Sequence, residues 1–193
     1  MTSRATVALF GGSFNPPHVA HQMLAVYALA TCEIDEVWFI PTFLHAFGKR
    51  LASYEDRVAM CEILAAEIGP RARVSRAEQT LAAAPGFVMS RTLDLIAQVQ
   101  RDHPDLQFRL LIGADILLET EKWYRWDQVV QQAPPIVIGR GGVVAPPHAT
   151  VTEYAMPDIS STEVRRRLQA QEPVNWLVPR RVLGYIAAKG LYR

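Results

Sequence analysis

Two histidines lie directly behind a pair of glycines near the beginning of the chain. Residues 10–21 read Phe-Gly-Gly-Ser-Phe-Asn-Pro-Pro-His-Val-Ala-His. Gly11 and Gly12 would let the backbone approach a phosphate closely, and the unpaired N–H groups at the start of a following helix attract an anion. His18 and His21 are three residues apart, so both imidazoles are expected on one side of the first helical turn. The pattern predicts a phosphate site at which both histidines contact one ligand.

Other interpretations of this segment are weaker. An isolated Gly-Gly pair is often only a tight turn, and a lone helical histidine is more often structural than catalytic. Two histidines on one turn behind a glycine loop favour chemistry over both. A shared zinc ion is disfavoured, because the segment has neither an H-E-x-x-H glutamate nor an evident third ligand. The dinucleotide fingerprint G-x-G-x-x-G and the Walker pattern G-x-x-x-x-G-K do not fit either.

A second candidate anion site lies near the other end of the chain. Residues 159–165 read Ile-Ser-Ser-Thr-Glu-Val-Arg. The hydroxyls of Ser160 and Ser161 can cap a helix or bond phosphate oxygens, and Arg165 can grip a polyphosphate through its planar fork. Alone, the segment is typical of a helix cap with a solvated arginine face. Together with the first site, it indicates a ligand with several phosphates.

The elements that must position these residues follow from the hydrophobic pattern. Short apolar runs predict strands at Thr6–Phe10, Glu36–Pro41, Arg73–Arg76, Gln107–Ile112 and Pro135–Ile138. Helical spacing predicts helices at His18–Thr31, Tyr54–Ile68, Ser90–Arg101, Trp126–Gln132, Ser161–Ala170 and Pro179–Lys189. The alternation predicts an α/β fold: a Rossmann-like, doubly wound parallel sheet with helices on both faces, in a single domain over residues 1–193. Ligands are expected at the carboxyl ends of the strands.

Three local predictions accompany this fold. Pro17 suits the first turn of its helix, where a missing N–H costs nothing. Gly190 is a suitable C-terminal cap for the last helix. The Gly- and Pro-rich stretch Gly139–Pro147 is expected to form a surface loop.

Composition narrows the class of protein. Lysine and arginine number 20 against 19 acidic residues, a net charge of +1, so nucleic acid is not an expected partner. Cys32 and Cys61 form no C-x-x-C pattern and are predicted to be buried thiols in a reducing compartment. No leader pattern and no apolar run of about 18 residues is evident, so we expect a cytoplasmic protein without membrane contact.

The first segment resembles the opening G-x-F-D-P-x-H-x-G-H pattern of the nucleotidyltransferase superfamily. The matching residues are Gly12, Phe14, Pro16, His18 and His21. Two positions depart from the pattern: Asn15 replaces the usual Asp, and Ala20 replaces the usual Gly. Asparagine keeps the local turn hydrogen bond but lacks the charge. Neither departure removes a catalytic group.

The second segment resembles the I-S-S-T-x-[IV]-R motif of the same superfamily, without a departure. The resemblance implies that ATP is the donor, that His18, His21 and Arg165 are catalytic, and that Mg²⁺ enters bound to ATP with little protein ligation and no protein metal site. The implied ATP-binding residues are Gly11, Gly12, Ser13, Phe14, His18, His21, Gly113, Asp115, Ile159, Ser160, Ser161 and Arg165. Asp115 could bind a ribose or adenosine hydroxyl, or cap the next helix.

The middle of the chain indicates the acceptor. Gly113-Ala114-Asp115 followed by Trp123 and Trp126 resembles the G-A-D…W…W stretch of bacterial nicotinate mononucleotide adenylyltransferases. A Trp123 ring could stack on a pyridine, although both tryptophans could instead be amphipathic core. Lys49 and Tyr124 are further acceptor-binding candidates. Two further stretches also resemble this family. They are the strand end at residues 39–41 with the later His45, Lys49 and Arg57, and the closing Gly-Leu-Tyr of residues 190–192.

One stretch departs from the family. Residues 87–93 read Phe-Val-Met-Ser-Arg-Thr-Leu where the family has S-Y-T-x-D-T-L. Because that segment lies near the acceptor ring in the family, the preference between nicotinate and nicotinamide stays open.

The resemblance implies in-line attack by a pyridine mononucleotide phosphate on the α-phosphorus of ATP, with release of pyrophosphate. Three alternatives remain: a nicotinamide mononucleotide acceptor, a phosphopantetheine acceptor, and a nucleotide-binding regulator without turnover. A dehydrogenase is weaker, because the glycine fingerprint is missing. A homo-oligomer is expected by analogy with the family alone.

Overall fold

The short apolar strand β1 (Thr6–Gly12) lies in the middle of a parallel sheet. The computed structural model describes residues 4–44, 51–139, 146–154 and 156–193. Within these residues the sheet has six strands in the order β3-β2-β1-β4-β5-β6. The other strands are β2 (Glu36–Pro41), β3 (Ala72–Val74), β4 (Gln107–Gly113), β5 (Pro135–Gly139) and β6 (Thr150–Glu153).

The strand order reverses beside β1. Leu9 of β1 pairs in parallel with Trp38 of β2 on one side and Leu110 of β4 on the other. Since the chain winds outward in both directions from this point, the carboxyl ends of β1 and β4 leave a crevice. A crevice of this kind is the usual ligand site of a doubly wound sheet.

Helices cover both faces of the sheet. They are α1 (Val19–Thr31), α2 (Tyr54–Ile68), α3 (Ala77–Ala82), α4 (Thr92–Asp102), α5 (Trp126–Gln132), α6 (Ser161–Gln169) and α7 (Arg180–Lys189). Residues Ala114–Lys122 form a 3₁₀ segment after β4. None of the described helices is both long and apolar enough to cross a bilayer.

Alternate side chains of β1 enter two separate hydrophobic cores. Ala8 and Phe10 face the core that α1, α2, α6 and α7 cover. Val7 and Leu9 face the core that α4 and α5 cover. Burial of both faces explains the almost continuous apolar sequence of the strand. The predicted doubly wound α/β fold is confirmed.

Some elements differ from the sequence predictions. Strand β3 ends at Val74, because Arg76 is already the N-cap of α3. Helix α3 has six residues, too few to show a helical period. Strand β6 was not predicted, because it has four residues, Thr-Val-Thr-Glu, at the edge of the sheet. The predicted surface loop Gly139–Pro147 lies largely outside the described residues.

Helix ends are set by local backbone geometry. His18 is the extended N-cap of α1, so the helix begins at Val19 and Pro17 precedes the cap instead of lying in the first turn. Gly190 ends α7 in the left-handed conformation with φ 63°, which confirms the predicted C-terminal cap. Cys61 is buried, Cys32 is half-buried, and neither forms a disulfide.

Candidate active site

A cavity of about 800 Å³ opens at the carboxyl ends of β1, β4 and β5. Most of the predicted ATP-binding residues line this one cavity: Gly11, Gly12, Ser13, His18, His21, Gly113, Asp115, Ile159, Ser160, Ser161 and Arg165. Trp123 from the predicted acceptor site lines it as well. The fold therefore brings the two distant sequence motifs to one place, where the strand order reverses.

Phe14 does not line the cavity, although it was predicted to bind ATP. Its ring is buried beneath the loop, where any Cβ on Gly12 would lie 3.2 Å from Phe14 Cζ. The ring packs edge-on against Phe10 and Phe39 and has its centroid 5.0 Å from that of His21. Phe14 adopts φ 45°, an uncommon left-handed conformation for a bulky residue. The side chain supports the loop and the His21 ring from below.

The two histidines form a stacked pair. Their ring centroids are 3.7 Å apart, and the backbone N–H of His18 donates to Nδ1 of His21 at 3.1 Å. Because Nδ1 of His21 accepts this bond, the proton of the neutral ring lies on Nε2. The stack arises because His18, as N-cap, and His21, in the first turn, lie on the same side of α1.

Both imidazoles are neutral at ordinary pH. Burial lowers the pKa of His18 to about 4. Burial, and secondly the neighbouring His18, hold the pKa of His21 well below its usual value. The pair can therefore donate neutral hydrogen bonds to phosphate oxygens without a proton transfer.

Three side chains hold the backbone of the loop between β1 and α1. Arg57 Nη1 donates to the carbonyl of Ser13 at 2.9 Å, and Ser161 Oγ donates to the carbonyl of Pro16 at 2.8 Å. Arg165 Nη1 donates to the carbonyl of Asn15 at 2.7 Å. Buried carbonyls outside regular structure need such donors. The distal motif thus shapes the glycine loop as well as lining the cavity.

Ser160 has the capping role that its sequence context suggested. Its Oγ accepts the backbone N–H of Glu163 at 3.2 Å, at the start of α6. The neighbouring Arg166 and Arg167 form ion pairs with the same Glu163 on the surface. Arg165 points the other way, to the loop and the cavity, so only one of the three consecutive arginines belongs to the site.

The ends of β4 and β5 approach each other closely. A Cβ on Gly139 would lie 2.6 Å from Ala114 Cβ, so a side chain at this position has no room. Asp115 is exposed and its Oδ1 would lie 2.5 Å from a Cβ on Gly113. Its carboxylate thus lies directly over the end of β4, at the wall of the cavity.

The candidate acceptor residues are only partly brought together. Trp123 lines the cavity and packs edge-on against Trp126, with ring centroids 5.3 Å apart. Both tryptophans pack against the second core, but of the two only Trp123 also lines the cavity. Tyr124 is exposed and does not line the cavity. Lys49, with His45, lies outside the described residues.

Sequence reasoning missed two side chains near this site. The guanidinium of Arg91 lies 4.2 Å from the centre of the Tyr124 ring, in the stretch that departs from the family pattern. Tyr192 in the closing segment donates a hydrogen bond to Asn15 of the loop. The departure of residues 87–93 from the family pattern was the signal that could have indicated Arg91. The closing Gly-Leu-Tyr was noted only as a family resemblance, without a role for Tyr192.

No group of three or more His, Cys, Asp or Glu side chains that could hold a metal ion occurs within the ranges that the structure describes. The described cavity contributes two carboxylates, Asp115 and Asp158.

Comparison with known proteins adds independent findings. Residues 9–167 match the profile of the family described as Cytidylyltransferase-like. The chain is 50% identical over 193 residues to a probable nicotinate-nucleotide adenylyltransferase of Anaeromyxobacter sp. (strain K), covering 100% of both chains. It is 38% identical over 192 residues to a protein of the same description from Myxococcus xanthus (strain DK1622), covering 100% of this chain and 97% of that one.

The fold also matches solved structures. One is Plasmodium falciparum nicotinic acid mononucleotide adenylyltransferase complexed with NaAD, with a TM-score of 0.81, 21% identity and 97% coverage of each chain. The same protein complexed with APC matches with a TM-score of 0.79 at 20% identity, again over 97% of each chain. At these identities the likeness concerns the fold.

Proposed function

The chain belongs to the cytidylyltransferase-like family and, within it, to the nicotinate-nucleotide adenylyltransferases, and we propose how its residues carry out that reaction. It is a nucleotidyltransferase that moves AMP from ATP to nicotinate mononucleotide, forming deamido-NAD and pyrophosphate in NAD biosynthesis. The observation that carries our assignment of roles is the stacked, neutral pair of His18 and His21 beside the glycine loop. The pair shares one cavity with Arg165 and Trp123.

The reaction requires alignment more than proton transfer. The 5′-phosphate of the acceptor is already ionised, so it can attack the α-phosphorus of ATP without a general base. The P–O bond to the β-phosphate breaks as the new P–O bond forms, and pyrophosphate leaves with that electron pair. We assign the alignment to Gly11, Gly12 and Ser13, whose backbone permits a close approach of the phosphates.

His18 and His21 stabilise the charge that develops during transfer. His21 presents Nε2–H, because its Nδ1 is held by the backbone N–H of His18. A preorganised donor in a site screened from water stabilises a developing oxyanion far better than a mobile water molecule does. Arg165 grips the leaving pyrophosphate end, and its second role, the bond to the Asn15 carbonyl, fixes its position.

The acceptor side follows from the placement of Trp123. Its ring lines the cavity and is held edge-on by Trp126, so one face remains for a pyridine ring. We also keep Lys49 and Tyr124 as acceptor-binding residues. Tyr124 carries the Arg91 guanidinium on its ring and is adjacent to Trp123 in the chain.

A divalent metal accompanies ATP in nucleotidyltransferases, and we propose Mg²⁺ in this case. When bound, the ion would neutralise charge on the phosphates. Asp115 and Asp158 are the described carboxylates that could contact its water shell.

The assignment is tested by pyrophosphate release from ATP and Mg²⁺ with three acceptors. We expect the highest kcat/KM with nicotinate mononucleotide, a lower value with nicotinamide mononucleotide and none with phosphopantetheine. Chromatography should identify deamido-NAD in amounts equal to the pyrophosphate. Turnover with phosphopantetheine alone would refute nicotinate mononucleotide as the acceptor. Tight ATP binding without pyrophosphate release in the presence of any acceptor would identify a nucleotide-binding regulator.

A further inference from the structure

The C-terminal segment reaches the glycine loop through one side chain. Tyr192 Oη donates to Oδ1 of Asn15 at 2.8 Å, across 177 positions of sequence. The same Oδ1 accepts the backbone N–H of Ala52 at 2.9 Å. Since a backbone N–H can only donate, it fixes the amide with Oδ1 toward Ala52 and Tyr192. The tyrosine hydroxyl must therefore be the donor in its own bond.

Asn15 is a fully buried junction. Its side chain has no exposed surface, and its backbone carbonyl accepts the Arg165 guanidinium at 2.7 Å. Its Nδ2 is buried without a hydrogen-bond partner among the described residues. One oxygen of the side chain thus takes both donors, from Ala52 before α2 and from Tyr192 after α7. Asn15 joins three otherwise separate parts of the chain to the loop.

The position of Tyr192 is set by the end of α7. Gly190 turns the chain out of the helix in the left-handed conformation, and the N–H of Leu191 bonds back to the Ile186 carbonyl. Tyr192 itself has φ 62°, a conformation that a tyrosine adopts only when its surroundings stabilise it. Burial raises the pKa of the Tyr192 hydroxyl above its usual value, so it stays protonated and remains a donor.

We propose that Tyr192 is a positioning residue for adenylyl transfer. It holds Asn15, and Asn15 holds the loop that ends in the His18 and His21 pair. His18 follows Asn15 by three residues, so the anchoring of Asn15 also restricts the position of the His18 backbone N–H that fixes the His21 ring. The proposal rests on the function proposed above and extends it to the last turn of the chain.

The first test removes one hydroxyl. Tyr192→Phe keeps the ring and deletes the bond to Asn15. We expect kcat to fall about five- to tenfold, the factor that one neutral hydrogen bond supplies, while KM for nicotinate mononucleotide changes by less than about twofold. Tyr185→Phe is the matched control, because Tyr185 also lies in the C-terminal segment and donates to Asp56 Oδ1 at 2.9 Å. It should leave kcat unchanged.

The second test asks whether the effect passes through Asn15. In an Asn15→Ala background, Tyr192→Phe should have no further effect on kcat, because residues that act through one contact are not additive. A Tyr192→Phe substitution that lowered kcat by the same factor in the Asn15→Ala background as in the wild type would overturn the proposal. So would a Tyr192→Phe variant with wild-type kcat, or one whose kcat falls only in proportion to a lost folded fraction.

A third measurement separates this proposal from the proposed function. The ¹⁵N imidazole resonances of His18 and His21 report ring environment and tautomer without turnover. They should shift in Tyr192→Phe and stay in place in Tyr185→Phe. If the wild-type protein failed to release pyrophosphate, these resonances would still decide whether Tyr192 positions the histidines, and unshifted resonances would refute it.

Discussion

The backbone N–H of His18 donates to Nδ1 of His21 at 3.1 Å, and this bond determines which nitrogen of His21 carries a proton. A neutral imidazole whose Nδ1 accepts must donate from Nε2. The N-cap of the helix thus sets the chemistry of a residue in its first turn. The two rings, with centroids 3.7 Å apart, then face the same cavity.

His18→Ala should lower kcat by about 100-fold or more, because removing one preorganised donor from a charge-stabilising site commonly costs this much. His103→Ala is the control, since His103 packs against Trp38, away from the cavity. Steady-state pyrophosphate release measures both. A loss of less than about tenfold for His18→Ala would contradict its catalytic role.

Stability should fall on acidification below neutral pH. Burial lowers the pKa of His18 to about 4 in the folded protein, whereas in the unfolded chain it returns to its ordinary value of 6.5. Between these values the unfolded chain binds more protons, so the stabilising contribution is complete above pH 6.5 and is lost as the pH falls toward 4. The full pKa shift of His18 corresponds to about 3 kcal/mol in the free energy of unfolding. Urea unfolding of wild type and His18→Gln at pH 7 and pH 5 isolates this contribution, and parallel losses in both proteins would contradict it.

Arg165→Lys should raise KM for ATP about tenfold, because a lysine cannot bond the Asn15 carbonyl and a phosphate with one planar fork. Arg166→Lys is a close control. Arg166 pairs with Glu163 and Glu172 at the surface, where such pairs contribute little. Equal effects of the two substitutions would show that Arg165 is only another surface cation.

Trp123→Ala should raise KM for nicotinate mononucleotide about fivefold, since one aromatic stack contributes roughly 1 kcal/mol. KM for ATP should stay the same. Trp176→Ala serves as control, because Trp176 is an exposed tryptophan outside the cavity. Initial rates at varied acceptor concentration measure the effect. An unchanged acceptor KM would place the pyridine ring elsewhere.

Gly139→Ala should destabilise the protein by about 1–3 kcal/mol, the usual effect of forcing an extra methyl group into a packed site. The new Cβ would lie 2.6 Å from Ala114 Cβ and 3.1 Å from Ala114 N. At Gly184 in α7, a new Cβ would have no described atom within 4 Å apart from its own helix backbone, so Gly184→Ala should stabilise the protein by about 0.5–1 kcal/mol. Thermal denaturation compares the two, and shifts of the same sign would contradict the packing argument.

Local chemistry explains what the sequence by itself determined. The apolar run before Gly11 and the helical spacing after His18 specified a strand and a helix through hydrophobic period and backbone freedom, both properties of neighbouring residues. The alternation of such units then implied a parallel sheet with its site at the carboxyl ends. The pairing of His18 with His21 was also local, because three positions on one helical turn place the side chains together.

Short or polar elements were decided by the tertiary structure. Strand β6 is four residues long with only one apolar residue, and it forms a strand because it pairs with the edge of β5. Helix α3 is too short to show its period, and the position of Arg76 as its N-cap ended β3 early. The presence of Trp123, and not Trp126, in the cavity wall could not follow from their spacing, because both rings pack against the same core and only the fold decides which of them also reaches the cavity.

The anchoring of the loop is the clearest case of a long-range decision. Four side chains donate hydrogen bonds to the stretch from Ser13 to Pro16, and the most distant donor is 177 positions away. They belong to Arg57, Ser161, Arg165 and Tyr192. The sequence predicted a phosphate site at Gly11 to His21. The buried carbonyl and amide oxygens of that loop need hydrogen-bond donors. Only the folded chain brings those donors within hydrogen-bond distance, so the tertiary structure decides which side chains hold the loop.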